Sequence, residues 1–187
     1  MTTSSLGQIL VARGVLSAVA LEQAVRLKDL QGGSLAVNLV LAGVMDDKTL
    51  ATFYQHHFGL PRVTEQQLSR VTREIFNLIP VEIIYDAGIL PLAVHPDQGQ
   101  LAVGVIDPTE KASLDEAAFF AAHDLTPHVM SIGQIARHYL RLTGKRWRID
   151  WETVQARRRA LWLQSQPKSQ QTKRIVRIVE PIVEEAA

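Results

Sequence analysis

Apolar positions along the first sixty residues fall into short helical stripes punctuated by glycine. Leu6, Ile9 and Leu10 recur at i, i+3, i+4, the spacing of one helix face, and Gly14 follows as a residue able to take the left-handed C′ conformation. Val15 and Leu16 pass through a turn, and Ser17 is placed to cap a second helix carrying Leu21, Ala24 and Val25. The same layout returns after Gly32-Gly33. One register aligns the two copies, an offset of 29 residues (35 − 6), which pairs Leu6 with Leu35, Leu10 with Leu39, Gly14 with Gly43, Val15 with Val44 and Leu21 with Leu50. In the second copy Asp46 is the cap, and Leu50, Phe53 and Tyr54 continue the stripe. Four short helices over about residues 5–57 are predicted. Two copies fall short of the roughly three repeats a solenoid needs, so the plain structural reading is a small helical bundle with repeated core positions.

From Gly59-Leu60-Pro61 the pattern changes. Residues 64–87 read as helix in two pieces, separated at Ile79-Pro80 because proline breaks a helix outside its first turn. Two strands follow, Ile89–His95 and Gln100–Ile106, joined by Pro96-Asp97-Gln98-Gly99, which has turn chemistry. Asp107-Pro108 suits a helix cap followed by proline at N1, opening a helix to about residue 123. Thr126–Met130 is a short strand, and Ser131 caps a last helix that stops at Gly144. The expected class is α+β: a four-short-helix repeat, then a small α/β unit in the order ααββαβα, then a basic C-terminal helix and tail.

Composition narrows the chemistry. With 47% apolar and 21% charged residues, the chain sits with globular proteins rather than disordered or collagenous ones. The absence of cysteine excludes a disulfide framework, a thiol nucleophile and a cysteine-ligated zinc site. The apolar N-terminus has no basic n-region, and Arg13 and Glu22 interrupt it. The longest apolar run elsewhere, Leu35 to Met45, carries Asn38 and is short of the roughly 20 residues that span a bilayer. A soluble cytoplasmic protein is expected. Net charge is +1, but this is a cancellation: residues 145–187 hold 10 basic and 5 acidic side chains (+5), leaving 20 − 10 = 10 basic and 19 − 5 = 14 acidic (−4) in residues 1–144.

The repeated Leu-Gly-x-x-Leu…Gly framework, followed by Gly59-Leu60-Pro61, Leu78-Ile79-Pro80, Leu90-Pro91-Leu92-Ala93 and Asp107-Pro108, resembles one module in its order and spacing. That module is the N-terminal domain of the hexameric ATPases driving type II secretion and type IV pilus assembly, GspE/PilB-like and including the MshEN variety. The resemblance covers about residues 4–144. It divides the chain into a duplicated helical MshEN-like subdomain (1–58), an α/β GspE N-terminal-like subdomain (59–144) and a basic, tryptophan-containing extension (145–187). In some members the doubled helical motif binds cyclic di-GMP; in others the module docks the ATPase onto an inner-membrane partner.

Measured against the nucleotide-binding pattern, the first copy keeps Leu6, Gly7, Leu10, Gly14 and Leu21, with Ser5 in place of arginine and Lys28 in place of the closing glutamine. The second keeps Leu35, Leu39, Gly43 and Leu50, with Ser34 for arginine, Ala36 for glycine and His57 for glutamine. Serine reproduces neither the charge nor the reach of arginine's planar fork of donors. What survives is mainly the apolar and glycine framework that the fold needs with or without ligand. Lys28, His56 and His57 compensate only if they face the same site. The family's motor also needs a G-x-x-x-x-G-K-[ST] loop. Thr143-Gly144-Lys145-Arg146 lacks both the earlier glycine, replaced by Tyr139, and the Ser/Thr. The resemblance is therefore to the accessory module alone, and no enzyme activity is expected.

Other constellations favour structural roles. Neighbouring His56 and His57 on a helix diverge by about 100°, whereas helical ligand pairs favour i, i+4. His123 and His128, with Asp124 nearby, are separated by a loop expected through Pro127, and Asp115 and Glu116 diverge as neighbours on one helix. No metal site or catalytic residue is assigned. The tail carries all three tryptophans, Trp147, Trp151 and Trp162, with Arg157, Arg158 and Arg159. These six are the candidate partner-binding residues, since tryptophan and arginine are enriched at binding hot spots. The competing reading packs the tryptophans on the protein's own body and leaves the arginines in solvent. Residues 151–164 read as a helix, 164–172 as a linker and Ile175–Val179 as a β-prone recognition segment. A third reading, contact with anionic lipid or nucleic acid, is disfavoured because the local charge is modest and no nucleic-acid-binding fold stands out.

The expected function is a non-catalytic interaction or regulatory module that docks to a protein of a secretion or pilus machine. The alternative is a divergent cyclic di-GMP sensor, cyclic di-GMP being the one small ligand considered. Oligomeric state is not indicated by the sequence.

Overall fold

A computed structural model of the chain describes residues 6–147. Ser5, Trp151, Arg157, Arg158, Arg159, Trp162, the helix expected at 151–164 and the segment Ile175–Val179 lie outside the described residues. The described part is α+β, as expected.

The helical repeat forms α1 (Leu6–Ala12), α2 (Ala18–Gln31), α3 (Leu35–Leu41) and α4 (Asp47–Phe58). Its punctuation follows the sequence closely. Gly14 and Gly43 take φ of 68° and 72°, the left-handed region that stops α1 and α3. The Ser17 hydroxyl accepts from Ala20 N–H at the start of α2, and the Asp46 carboxylate accepts from Lys48 and Thr49 N–H at the start of α4. Leu10, Ala24, Leu39 and Leu50 are buried, while Val25, expected on the inner stripe, is exposed. Asn38 is fully buried in α3, and its side-chain amide donates to the Gly32 and Ser34 carbonyls, tying the α2–α3 connection down.

Residues 64–87 are helical in three pieces rather than the expected two: α5 (Glu65–Ser69), α6 (Arg73–Phe76) and α7 (Val81–Ala87). The additional break has a local cause. Thr72 is an N-cap whose hydroxyl accepts from Ile75 N–H, so it starts a new helix instead of continuing the old one. Thr64 opens α5 with a reciprocal capping box to Gln67.

The sheet consists of β1 (Ile89–His95), β2 (Gln100–Val105) and β3 (Asp124–Val129) in the order β1-β2-β3. β1 and β2 are antiparallel, joined through a short 3₁₀ turn at Pro96–Gln98 and Gly99 at φ 62°. β3 runs parallel to β2, so the connection between them must cross over, and α8 (Lys111–Ala121) makes that crossing. The middle strand is buried from Leu101 to Val105, as a strand covered on both faces should be. The outer strands carry prolines: Pro91 sits at an irregularity in the β1–β2 register, and Pro127 lies inside β3. On the side of β3 away from β2, Val129 exchanges backbone hydrogen bonds with the Pro61–Val63 segment.

Three expectations need correction here. Asp107 does not cap α8 and Pro108 is not its N1 residue. The Asp107 carboxylate accepts from the N–H and hydroxyl of Thr109, closing a tight turn, and the helix starts only at Lys111 and ends at Ala121. The last strand begins at Asp124, two residues earlier than Thr126. Pro127 is therefore within a strand and is not a separator between His123 and His128.

The final helix, α9 (Ile132–Thr143), has the expected bounds. Ser131 forms a capping box with Gln134, and Gly144 closes the helix at φ 71°. Its N-terminus is where the helical repeat meets the α/β unit. Asp47, buried in the first turn of α4, accepts from Ile132 N–H (2.7 Å) and Gly133 N–H (3.2 Å). With Gln134 N–H bound to Ser131, the first three backbone donors of α9 are satisfied by two side chains, one of them borrowed from the repeat. At the other end of the unit Trp147 is buried, and its indole N–H donates to the Tyr85 carbonyl at 3.1 Å.

Candidate functional site

A cleft of about 640 Å³ opens along the outer face of α4, between that helix and the α1–α2 turn. The turn contributes Arg13 and Val15; α4 contributes Lys48, Thr49, Thr52, Phe53, His56 and His57, with its cap Asp46. The helical period brings these together: 49, 52, 53, 56 and 57 follow one another at i+3 and i+4, so they share a stripe. Gly14 makes the other wall by turning the chain sharply enough to set Arg13 and Val15 opposite α4.

The cleft has a cationic rim and an aromatic floor. Arg13, Lys48 and His56 are exposed, and Phe53 and His57 are half-buried. The Phe53 and His57 rings stack with centroids 5.1 Å apart and planes 15° from parallel, and Phe58 meets His57 edge-on at 4.7 Å. Nδ1 of His57 is buried with no hydrogen-bond partner. The one carboxylate in the lining, Asp46, is engaged with the N–H groups of Lys48 and Thr49 and with the Thr49 hydroxyl. Thr52 receives a 3.4 Å hydrogen bond from Arg62, which ties the wall to the α/β unit.

His56 and His57 therefore both reach one cleft although they are neighbours, whereas Lys28, in the last turn of α2, is not part of its lining. Arg13 and Lys48, the two strongest cations of the cleft, were not singled out from sequence. They lie 35 residues apart (48 − 13), and only the turn at Gly14 makes them neighbours. Lys48 is exposed and lines the cleft, whereas its neighbour Asp47 is buried and does not.

The motif framework occupies the core rather than the cleft. Leu6, Leu10, Leu39 and Leu50 are buried, Leu21 and Leu35 are half-buried, and none lines the opening. Gly7 has a packing reason to lack a side chain, since a Cβ there would stand 2.5 Å from Leu21 Cδ1. In the second copy Ala36 takes that place, fully buried.

Behind α4, Tyr54 is fully buried and points toward Asp107 across the junction with the α/β unit. Burial pushes its phenol well above the usual value, and the Asp107 charge adds to that. Neither the Tyr54 hydroxyl nor Oδ2 of Asp107 makes a hydrogen bond.

The other candidates disperse. His123 Nδ1 lies 2.5 Å from the Ala121 carbonyl, while His128 Nδ1 lies 3.5 Å from Gln67 Nε2. Burial, then the proximity of His95, holds His128 below the usual histidine value. Asp115 and Glu116 are exposed on α8. Among the described residues no cluster of three or more His, Cys, Asp or Glu has metal-site geometry, and no helix is long and apolar enough to cross a membrane. Trp147, a candidate contact residue, is packed into the body beneath Gly88 and Tyr85.

Known proteins are similar to this chain in sequence and in fold. The MshEN domain model matches residues 58–146, the stretch read above as the α/β subdomain. The type IV pilus assembly ATPase PilB of Thermus thermophilus is 26% identical over 138 residues, 72% of this chain and 15% of that protein. The PilB of Myxococcus xanthus is 24% identical over 126 residues, 67% of this chain and 22% of its own length. The chain thus spans under a quarter of either relative. Among solved structures, the N-terminal domain of XpsE superposes with a TM-score of 0.58 at 21% identity, covering 72% of this chain and 90% of that one. The structure of MshE with cdg gives 0.53 at 20% identity, covering 75% and 99%. These two establish a shared fold.

Proposed function

We propose that the chain contains an N-terminal domain of the type II secretion and type IV pilus ATPase kind, and that it is a non-catalytic docking and regulatory module for a protein of such a machine. The observation carrying this reading is the MshEN match over residues 58–146, the α/β unit that would make the contact. The division into a helical repeat (1–58), that unit (59–144) and a basic extension (145–187) belongs to the same proposal. The repeat would bias the contact and the extension, with Trp151, Trp162 and Arg157 to Arg159, would add to it. The test is titration calorimetry of the chain, intact and truncated after residue 147, against the cytoplasmic domains of the inner-membrane assembly proteins encoded with pilus or secretion genes in the same genome. A saturable complex is expected with one of them; absence of a complex with all of them, for both forms, refutes the reading.

A second reading is favoured by the cleft itself. A rim carrying the Arg13 and Lys48 cations, with the exposed His56 beside them, over a stacked Phe53–His57 pair suits a ligand with both phosphate charge and a flat ring. A fold neighbour, MshE, was solved with cdg, and cyclic di-GMP is the corresponding ligand to test here. Calorimetry with wild type and with Arg13→Glu/Lys48→Glu decides it. Heat from the wild type that the double variant loses supports the sensor reading. No heat at about 100 μM ligand leaves binding weaker than roughly −5.5 kcal/mol and rejects it.

A further inference from the structure

Helix α8 is turned the wrong way round for stability. It buries its small residues, Ala117 (0% exposed) and Ala121 (5%), and holds Phe119 (80%) and Phe120 (52%) in solvent. These are the two most exposed aromatic side chains among the described residues, and they are consecutive, with rings edge-to-face at 5.5 Å and 84°. Two alanines let α8 lie close to the sheet, but nothing in that packing needs phenylalanine on the far side. The surroundings of the pair are acidic. Asp115 and Glu116 are exposed one helical turn before Phe119 and Phe120, at i−4 of each, and exposed Asp124 begins β3 just beyond the helix end. Lys111, also exposed, is the lone cation on this stretch of α8.

Resting on the docking reading above, we propose that the Phe119–Phe120 face of α8 is the docking surface, and that its occupant is a basic amphipathic segment of a partner protein. Apolar side chains of that segment would cover the two rings. Its lysines or arginines would lie beside Asp115, Glu116 and Asp124. Charge selects this occupant over the others. A second copy of the chain would bring the same carboxylates face to face, and like charges across an interface oppose association. An anionic bilayer or a nucleic acid would meet the same repulsion. Paired rings at the centre with charges at the margin is also the usual anatomy of an interface, an apolar core inside a polar rim.

The test uses the full chain and two labelled helical peptides, about 14 residues long, built from leucine at helical spacing with either lysine or glutamate on the other face. Fluorescence anisotropy should show saturable binding of the lysine peptide and none of the glutamate peptide. Phe119→Ser/Phe120→Ser and Asp115→Lys/Glu116→Lys should each weaken binding at least about tenfold, roughly 1.4 kcal/mol, with the melting temperature unchanged. Equal affinity in wild type and variants, or binding of the glutamate peptide, overturns the proposal. So does a concentration-dependent dimer in sedimentation that Phe119→Ser disperses, which would assign the face to a second copy. Co-sedimentation with phosphatidylglycerol vesicles, lost in the same variant, would assign it to a membrane and equally overturn it. Against the assembly proteins named above, a complex formed equally by wild type and Phe119→Ser/Phe120→Ser refutes this surface and leaves the docking reading intact. No complex with either, while the lysine peptide still binds in the residue-dependent way, refutes the docking reading and supports the surface.

Discussion

Replacing Asp47 by alanine tests how the helical repeat is fastened to the α/β unit. The carboxylate is buried and occupied by two N–H groups of another helix, at 2.7 and 3.2 Å, and 85 and 86 residues separate it from those donors. Alanine leaves both donors of α9 buried without acceptors, and each orphan costs about 1–3 kcal/mol. Part of this is offset because the variant no longer desolvates a carboxylate. Burial outweighs the Ile132, Gly133 and Ser131 hydrogen bonds and raises the Asp47 pKa above its ordinary 3.8. The net expectation is a loss of about 2–3 kcal/mol at neutral pH, from two orphaned donors less that offset. For a chain of this size that corresponds to a fall in melting temperature of roughly 4–12 °C. Urea denaturation followed by circular dichroism reads the energy, and hydrogen exchange at Ile132 and Gly133 reads the site. The substitution Asp47→Asn keeps one acceptor but turns an N–H₂ toward the other donor, so it should fall between wild type and alanine. The pH dependence has a definite sign. A raised folded pKa means a contribution fully present below 3.8 and lost as pH rises through the folded value, so wild type loses a little stability over that interval. The asparagine variant should lack that slope. An alanine variant within about 0.5 kcal/mol of wild type, inside the range of neutral surface changes, would refute the fastening role.

Two other perturbations follow from the packing. Trp147→Ala removes a buried indole and its hydrogen bond to the Tyr85 carbonyl; a loss of about 3–5 kcal/mol in urea unfolding is expected, and Trp147→Phe should recover most of the packing but not the hydrogen bond. Glu65 makes contacts to Gln134, His138 and Arg137 on α9; against the upward pull of burial, these hold its carboxyl below its ordinary 4.5. A lowered carboxylate stabilises above the unfolded value and loses that contribution as pH falls through the folded one. Because the Glu65 side chain is 62% exposed, Glu65→Gln should cost less than about 1 kcal/mol at pH 7, and salt titration of the melting temperature should show the wild-type advantage shrinking.

Local punctuation was legible in the sequence, and long-range partnership was not. Ser17, Asp46 and Ser131 cap the helices they were expected to cap, because a cap is satisfied within three residues of itself. The hairpin from Ile89 to Val105 was readable for the same reason. Asp107 shows the limit of such signals. An Asx-Pro pair suits either a helix cap or a tight turn, and here Thr109 offered both an N–H and a hydroxyl close enough to decide for the turn. Thr72 lies in a continuous helical pattern, where only its choice of Ile75 N–H reveals the break. Asp47 could not be read at all. Beside a capping aspartate it looks like one more acid in a first turn, and its partners are chosen by the packing of α4 on α9. The candidate cleft behaves likewise: His56 and His57 were visible as a pair, but Arg13 and Lys48 join them only after the α1–α2 turn is made. Phe119 and Phe120 read as part of an ordinary helical pattern, since nothing in the sequence tells that the alanines face inward.

Each outer strand of the sheet holds a proline, and this closes the sheet to growth. Backbone groups alternate sides along a strand, so the nitrogen of Pro127 faces the same way as the Val129 N–H, which donates outward to Pro61. On the opposite margin Pro91 interrupts β1 at its register shift. An incoming extended chain would find a missing donor on either margin. The domain should therefore resist edge-to-edge aggregation and strand exchange even at high protein concentration, so that any contact with another chain falls to its helices rather than to strand addition.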